Sequence, residues 1–230
     1  VDSLYCGLWA GGGATNVTFR DVEVAGCARN ILMGYMPSSA ANPNVTRASL
    51  LNVHSHNGTG GDGVKLHTHA RDVEIIGGYY HDNSNNGIDL YVCGEYVTVH
   101  GAISEGNGVD GIDVKYNFDT GEGAGQLGFA RRTSIRSCIL RGNAGYGIRG
   151  IIDDAYTGTE TGVQNVIFEG NIIEGNDLGS YANLRDSVVS NNIIRANTGR
   201  GANFHSCENV SVIGNQFWDN GTSNASGCVF

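Results

Sequence analysis

Four phrases decide the reading of this chain: Gly63-Val64-Lys65-Leu66, Gly87-Ile88-Asp89-Leu90, Gly111-Ile112-Asp113-Val114 and Gly147-Ile148-Arg149-Gly150. Their glycines are 24, 24 and 36 residues apart. Weaker copies stand at Gly7-Leu8-Trp9, Asn30-Ile31-Leu32-Met33, Gly179-Ser180-Tyr181, Gly201-Ala202-Asn203-Phe204 and Gly227-Cys228-Val229-Phe230. A phrase that returns at this spacing marks a solenoid, and its alternation of apolar and polar residues has the period of a strand, not of a helix.

Each copy is preceded by two more short alternating segments, as in Asn165-Val166-Ile167-Phe168-Glu169-Gly170-Asn171-Ile172-Ile173. An asparagine follows at a fixed offset: Asn83, Asn107, Asn143, Asn176, Asn197 and Asn220, with Asn57 joining them and Cys27 taking the place in the earliest coil. Asparagine tolerates left-handed backbone and bonds through its amide, so a stack of them satisfies turn groups in successive coils. The expected fold is an all-β right-handed parallel β-helix of about nine coils, one domain over residues 1–230. A leucine-rich repeat would need its leucine–asparagine signature, and a propeller a period nearer to about 40 residues.

Composition agrees with a turn-dense β protein: 36 glycines, 2 prolines and 16% charged residues. A net charge of −9 argues against nucleic acid as a partner, and no apolar run is long enough for a membrane span. The six cysteines show no zinc spacing. Most read as buried free thiols, with Cys6 and Cys27, about one coil apart, the best disulfide candidates. The Asn-X-Ser/Thr sites at Asn16, Asn44, Asn57, Asn209, Asn220 and Asn224 read as turn chemistry. Insertions at 34–44, 118–130 and 153–162 all follow the Gly-apolar-X-apolar strand, the usual mark of a solenoid's binding face. Neither end shows a capping helix, so the expectation is a piece of a longer chain, or a homo-oligomer whose neighbours cover the ends.

If residues after each glycine alternate in and out, the outward ones form a two-column grid. The first column reads Lys65, Asp89, Asp113, Arg149, and the second His67, Tyr91, Lys115, Ile151. Both lysines of the chain fall in it. Trp9, Leu32 and Tyr181 extend the first column, and Asn203 and His205 lie further along. A plain ion-pair ladder accounts for Lys65–Asp89 and Asp113–Arg149, but Asp89 and Asp113 are like charges on adjacent rungs and need a compensating cation or proton. His54 and His56 share one face of a neighbouring strand, and His69 and Arg71 follow the grid; they could line a groove, be solvated or hold a metal.

The chain resembles the parallel β-helix polysaccharide lyases and epimerases, nearest in texture the catalytic module of mannuronan C5-epimerases. The repeat from about Asn16 to Asn220 carries the resemblance. That family's signature strand is Gly-aromatic-Asp-Pro-His. Gly63-Val64-Lys65-Leu66-His67 keeps its glycine and histidine, with lysine and leucine between, so His67 is the residue the resemblance carries over.

The expected function is therefore a carbohydrate-active enzyme on an acidic polysaccharide, acting by β-elimination or C5-epimerisation outside the cell or on a virion. Both reactions must neutralise a uronate carboxylate to acidify the C5 proton. Lys65, Lys115 and Arg149 are candidates for that, as is a calcium ion held by Asp89 and Asp113. His67 or Lys115 would take the proton, and Tyr91 would return one. Trp9, Tyr181, Asn203 and His205 are candidate sugar contacts. A tailspike or adhesin that binds or hydrolyses surface glycans, and a purely structural solenoid, are the alternatives.

Overall fold

The computed structural model describes residues 6–34, 45–67, 70–91, 96–116, 132–152, 163–221 and 223–227. Its strands pair in parallel with their counterparts one coil away and build three sheets. The first sheet has nine strands, from Cys6–Ala10 through Val64–Leu66, Ile88–Tyr91, Ile112–Tyr116 and Tyr146–Ile152 to Ser223–Gly227. The second has nine strands and the third eight. Every coil thus passes through the sheets in the same order, and the molecule is a parallel β-helix. No helix among the described residues is long and apolar enough to cross a membrane.

The glycine-anchored phrase sets the register. Val64, Ile88, Ile112 and Ile148 stand opposite one another, and so do Leu66, Leu90 and Val114. All of these side chains are wholly buried. Full burial stabilises such a side chain by roughly 1.5–3 kcal/mol, so these stacks form the spine of the core.

Turns between strands place polar side chains inside, and asparagine answers for them. Asn107 donates its Nδ2–H to Asn143 Oδ1 at 2.9 Å and its backbone N–H to the same oxygen at 3.1 Å. The same pair of bonds joins Asn83 to Asn107, Asn143 to Asn176, Asn176 to Asn197 and Asn197 to Asn220. Asn57 lies one residue off this line, exposed and at φ +53°. The ladder position there is Gly58, whose N–H bonds to Asn83 Oδ1 at 3.0 Å. The missing amide comes from Asn30, which donates to Asn83 Oδ1 and accepts from the Cys27 N–H. A Cβ on Gly58 would sit 3.0 Å from Asn83 Oδ1 and 3.5 Å from Asn30 Nδ2, so a side chain there would crowd the amide that Asn30 supplies.

A second amide ladder, absent from the sequence reading, runs from Asn171 to Asn192 to Asn215 and receives the Cys138 N–H at its start. The Cys6–Cys27 disulfide does not form. Cys6, Cys27, Cys138 and Cys207 are free thiols, and the Cys6 and Cys27 thiols turn to carbonyls two residues away, Leu8 and Ala25. Cys93, Cys228, His69 and the insertions after Gly34 lie outside the described residues.

Candidate active site on the outer face of the first sheet

Strand register places Lys65, Asp89, Asp113, Arg149, Tyr181 and Asn203 on successive rungs, with Leu32 and Trp9 before them. Tyr91 stands beside Lys115, which stands beside Ile151. The two-column grid is therefore the arrangement found. Its relief differs from expectation. Asp89 and Asp113 point away from the core yet are wholly buried, while the Lys65, Lys115 and Arg149 side chains remain 12, 24 and 29% exposed. The long cationic stems lie over the short acids and cover them.

Two further acids complete the floor. Asp62 and Asp110 directly precede the phrase glycines and are buried. Asp62 Oδ1 accepts from the Asn85 amide and the Asn86 N–H, and Asp110 Oδ1 accepts from the Tyr146 N–H at 2.7 Å. An Asp or Asn before the glycine in three of the four strong phrases was the signal in the sequence for them.

The seven charges alternate along the solenoid. Lys65 Nζ is 3.7 Å from Asp62 Oδ2 and 2.6 Å from Asp89 Oδ2. Lys115 Nζ is 3.7 Å from Asp89 Oδ1 and 2.6 Å from Asp113 Oδ2. Arg149 Nη1 lies 3.9 Å from Asp113 Oδ2 and 3.7 Å from Asp110 Oδ2. Four acids meet three cations, so one proton balances the row. Burial pushes Asp113 up to about 7 and Asp62 up to about 6, and it raises Asp110 as well. Burial alone would lower Lys115, but Asp89 and Asp113 outweigh it and hold the ammonium firmly protonated. Asp89 Oδ1, Asp110 Oδ2 and Asp113 Oδ1 are buried and accept no hydrogen bond.

His67 and Tyr91 form the edge of this row, with ring centroids 5.0 Å apart and planes tilted by 50°. Lys65 Nζ sits 4.3 Å above the Tyr91 ring, a cation–π contact that fixes the phenol beside the acids. Trp9 is 56% exposed. Tyr181 packs at 5.5 Å from Tyr146, Asn203 follows it on the next rung, and exposed His205 shares a hydrogen bond with Ser206. Asp89 and Asp113 fit calcium poorly, because each already holds a lysine ammonium at 2.6 Å. A groove of about 510 Å³ on the second sheet, lined by Thr18, Arg47, Glu74 and Tyr96 among others, includes no grid residue.

His54 and His56 project from the third sheet, away from the grid. They join Glu23 and His81 in a cluster with His54 Nε2 and His81 Nε2 2.7 Å apart. Burial lowers the pKa of His54, and neighbouring His56 and His81 lower it further.

No family model matches the sequence, and no curated protein matches it. Solved structures do. The A-module of a mannuronan C-5 epimerase from Azotobacter vinelandii superposes with a TM-score of 0.75 at 16% identity, over 92% of this chain and 53% of that one. The likeness is one of fold. A periplasmic alginate epimerase gives a TM-score of 0.55 at 14% identity, covering 98% and 44%. A tailspike protein of Acinetobacter baumannii bacteriophage Fri1, a capsular polysaccharide depolymerase, gives 0.50 at 14%, covering 96% and 46%. The chain spans about half the length of each.

Proposed function

We propose that the outer face of the first sheet is the active site of an enzyme that removes the C5 proton of uronate residues in an acidic polysaccharide. The observation that carries this is the relief of the grid: the cations reach solvent and the acids do not. A glycoside hydrolase needs its carboxyl groups at the glycosidic oxygen and anomeric carbon. Here the accessible groups are Lys115, Arg149 and Tyr91, and His67 is buried against the Tyr91 ring at the edge. Parallel β-helix neighbours named as an epimerase of mannuronan, an epimerase of alginate and a capsular depolymerase favour a polysaccharide substrate, met outside the cytoplasm.

In this reading Arg149 and Lys115 neutralise the uronate carboxylate, which makes the C5–H acidic. Their buried aspartates hold them in place and, by taking up or releasing the balancing proton, keep the site neutral when the anion arrives. His67 takes the C5 proton. For elimination the C4–O4 bond then breaks and Tyr91 gives its proton to O4, leaving an unsaturated uronate. For epimerisation a proton returns to the opposite face of C5. His67 and Tyr91 touch on one side of the site, which suits elimination better. No step needs calcium. Trp9, two rungs before Lys65, and Tyr181, one rung beyond Arg149, offer ring faces to sugars at the two ends, with Asn203 and His205 beyond.

The test is incubation with alginate, polygalacturonate and capsular glycans, following unsaturated-uronate absorbance, reducing ends and deuterium uptake at C5. Absorbance rising with new ends supports elimination, and deuterium uptake without ends supports epimerisation. New ends without absorbance would mean hydrolysis, and glycan binding without turnover would mean a tailspike or adhesin shaft; either outcome overturns the proposal.

A further inference from the structure

A second cluster of chemistry-bearing side chains occupies the outer face of the third sheet, on strands Glu23–Ala25, His54–His56 and Tyr79–His81. Register puts Glu23 opposite His54 and His56 opposite His81. Ligand atoms of Glu23, His54 and His56 lie within 4.8 Å of one another. His81 Nε2 is 2.7 Å from His54 Nε2, and Glu23 Oε1 is 2.9 Å from His56 Nε2. The rings of His54, His56 and His81 stack mutually at 4.4–5.0 Å between centroids.

Proton placement follows from the outer partners. Asp82 Oδ2 lies 2.7 Å from His81 Nδ1, so Nδ1 carries the hydrogen and Nε2 presents its lone pair. His54 Nε2 must then donate to it. A single proton thus sits between two imidazole nitrogens, where a Lewis acid of higher charge could replace it. Tetrahedral zinc with Zn–N bonds of about 2.0–2.1 Å separates two nitrogen ligands by about 3.3 Å. The present spacing needs to open by only about half an ångström, a small torsion of two half-exposed rings. The carboxylate behind His81 has the role that outer carboxylates have at zinc sites, fixing the tautomer and the ring's orientation.

We propose that Glu23, His54, His56 and His81 bind a first-row transition ion of the zinc class, and that this ion ties together three successive coils. Imidazole suits such ions, whereas calcium prefers oxygen. The partly exposed rings leave room for a water in the shell. In a solenoid each coil touches only its neighbours, so a ligand set drawn from three coils links a first coil to one it does not touch.

The experiment uses tag-free full chain, stripped with chelator and titrated calorimetrically with zinc sulfate, with metal content read by mass spectrometry. One equivalent should bind and raise Tm, with calcium chloride producing neither effect. Cobalt(II) should give the visible d–d bands of a nitrogen–oxygen site. Asp82→Asn, a change at an exposed turn, should weaken zinc binding by roughly 10–100-fold. His54→Gln should abolish it while the far-ultraviolet dichroism stays unchanged. Absence of zinc binding at micromolar concentration, or binding that survives both His54→Gln and His81→Gln, overturns the assignment.

Discussion

The amide ladder and the charged row are both polar stacks repeated along the same axis, and they are satisfied to different degrees. In the ladder every interior amide donates to the next asparagine and to a strand carbonyl, as Asn143 does to Asn176 and Ser104, and its oxygen accepts two bonds. In the charged row three carboxylate oxygens stay buried without a hydrogen bond, and the acids outnumber the cations. Polar groups kept for stability are normally completed, because each orphan costs about 1–3 kcal/mol. A row left incomplete, with a proton held among its buried acids, is what a binding or catalytic face needs, since a ligand can complete it.

Four outcomes would break or sharpen that contrast. Ile112→Asp puts an unpaired charge into the continuous apolar stack and should unfold the central coils, at a cost of several kcal/mol by denaturant titration. If it melts like Asp113→Asn, one residue away, the inward and outward assignments are wrong. Asn143→Ala removes both donors and the shared acceptor of one ladder rung and should cost about 3 kcal/mol or more. His67→Ala and Tyr91→Phe should cut turnover by roughly 10², the usual yield of a positioned acid or base, with Tm almost unchanged in Tyr91→Phe and lowered in His67→Ala, which removes a buried ring.

The smallest effect is the slope of stability with pH. Burial holds the folded Asp113 near 7, against 3.8 for the ordinary carboxyl. Between those values the folded state keeps a proton that the unfolded chain has lost, so stability falls as pH rises from about 4 to 7. Asp113→Asn should flatten that part of the Tm–pH curve. A wild-type curve that rises through the same window would contradict the assignment.

Much of this was legible in the sequence for a simple reason. Glycine anchors each of the four strong phrases, so the register of Lys65, Asp89, Asp113 and Arg149 follows from counting. Alternation reveals the face a residue takes but not what lies over it, so the burial of Asp89 and Asp113 under their own neighbours could not be read. The same limit hid the pairing of Lys115 with Asp113 along one strand, which crosses between columns. Gly58 escaped notice because its ladder amide is supplied by Asn30, a residue of another coil. Asn171, Asn192 and Asn215 were in plain view, but each abuts a strand and reads as its first residue.

The ladder also gives the solenoid an electrical direction. Each backbone N–H that donates to an asparagine oxygen fixes which end of that amide is oxygen, so all the side-chain dipoles point one way. From Asn30 through Asn83, Asn107, Asn143, Asn176 and Asn197 to Asn220, hydrogens face the later coils and oxygens the earlier ones. The shorter row from Asn171 to Asn215 has the same sense. Aligned bonds polarise one another, by about 10–30% per bond. Each added coil therefore binds slightly more tightly than the one before it, so the ladder favours a long stack over several short ones.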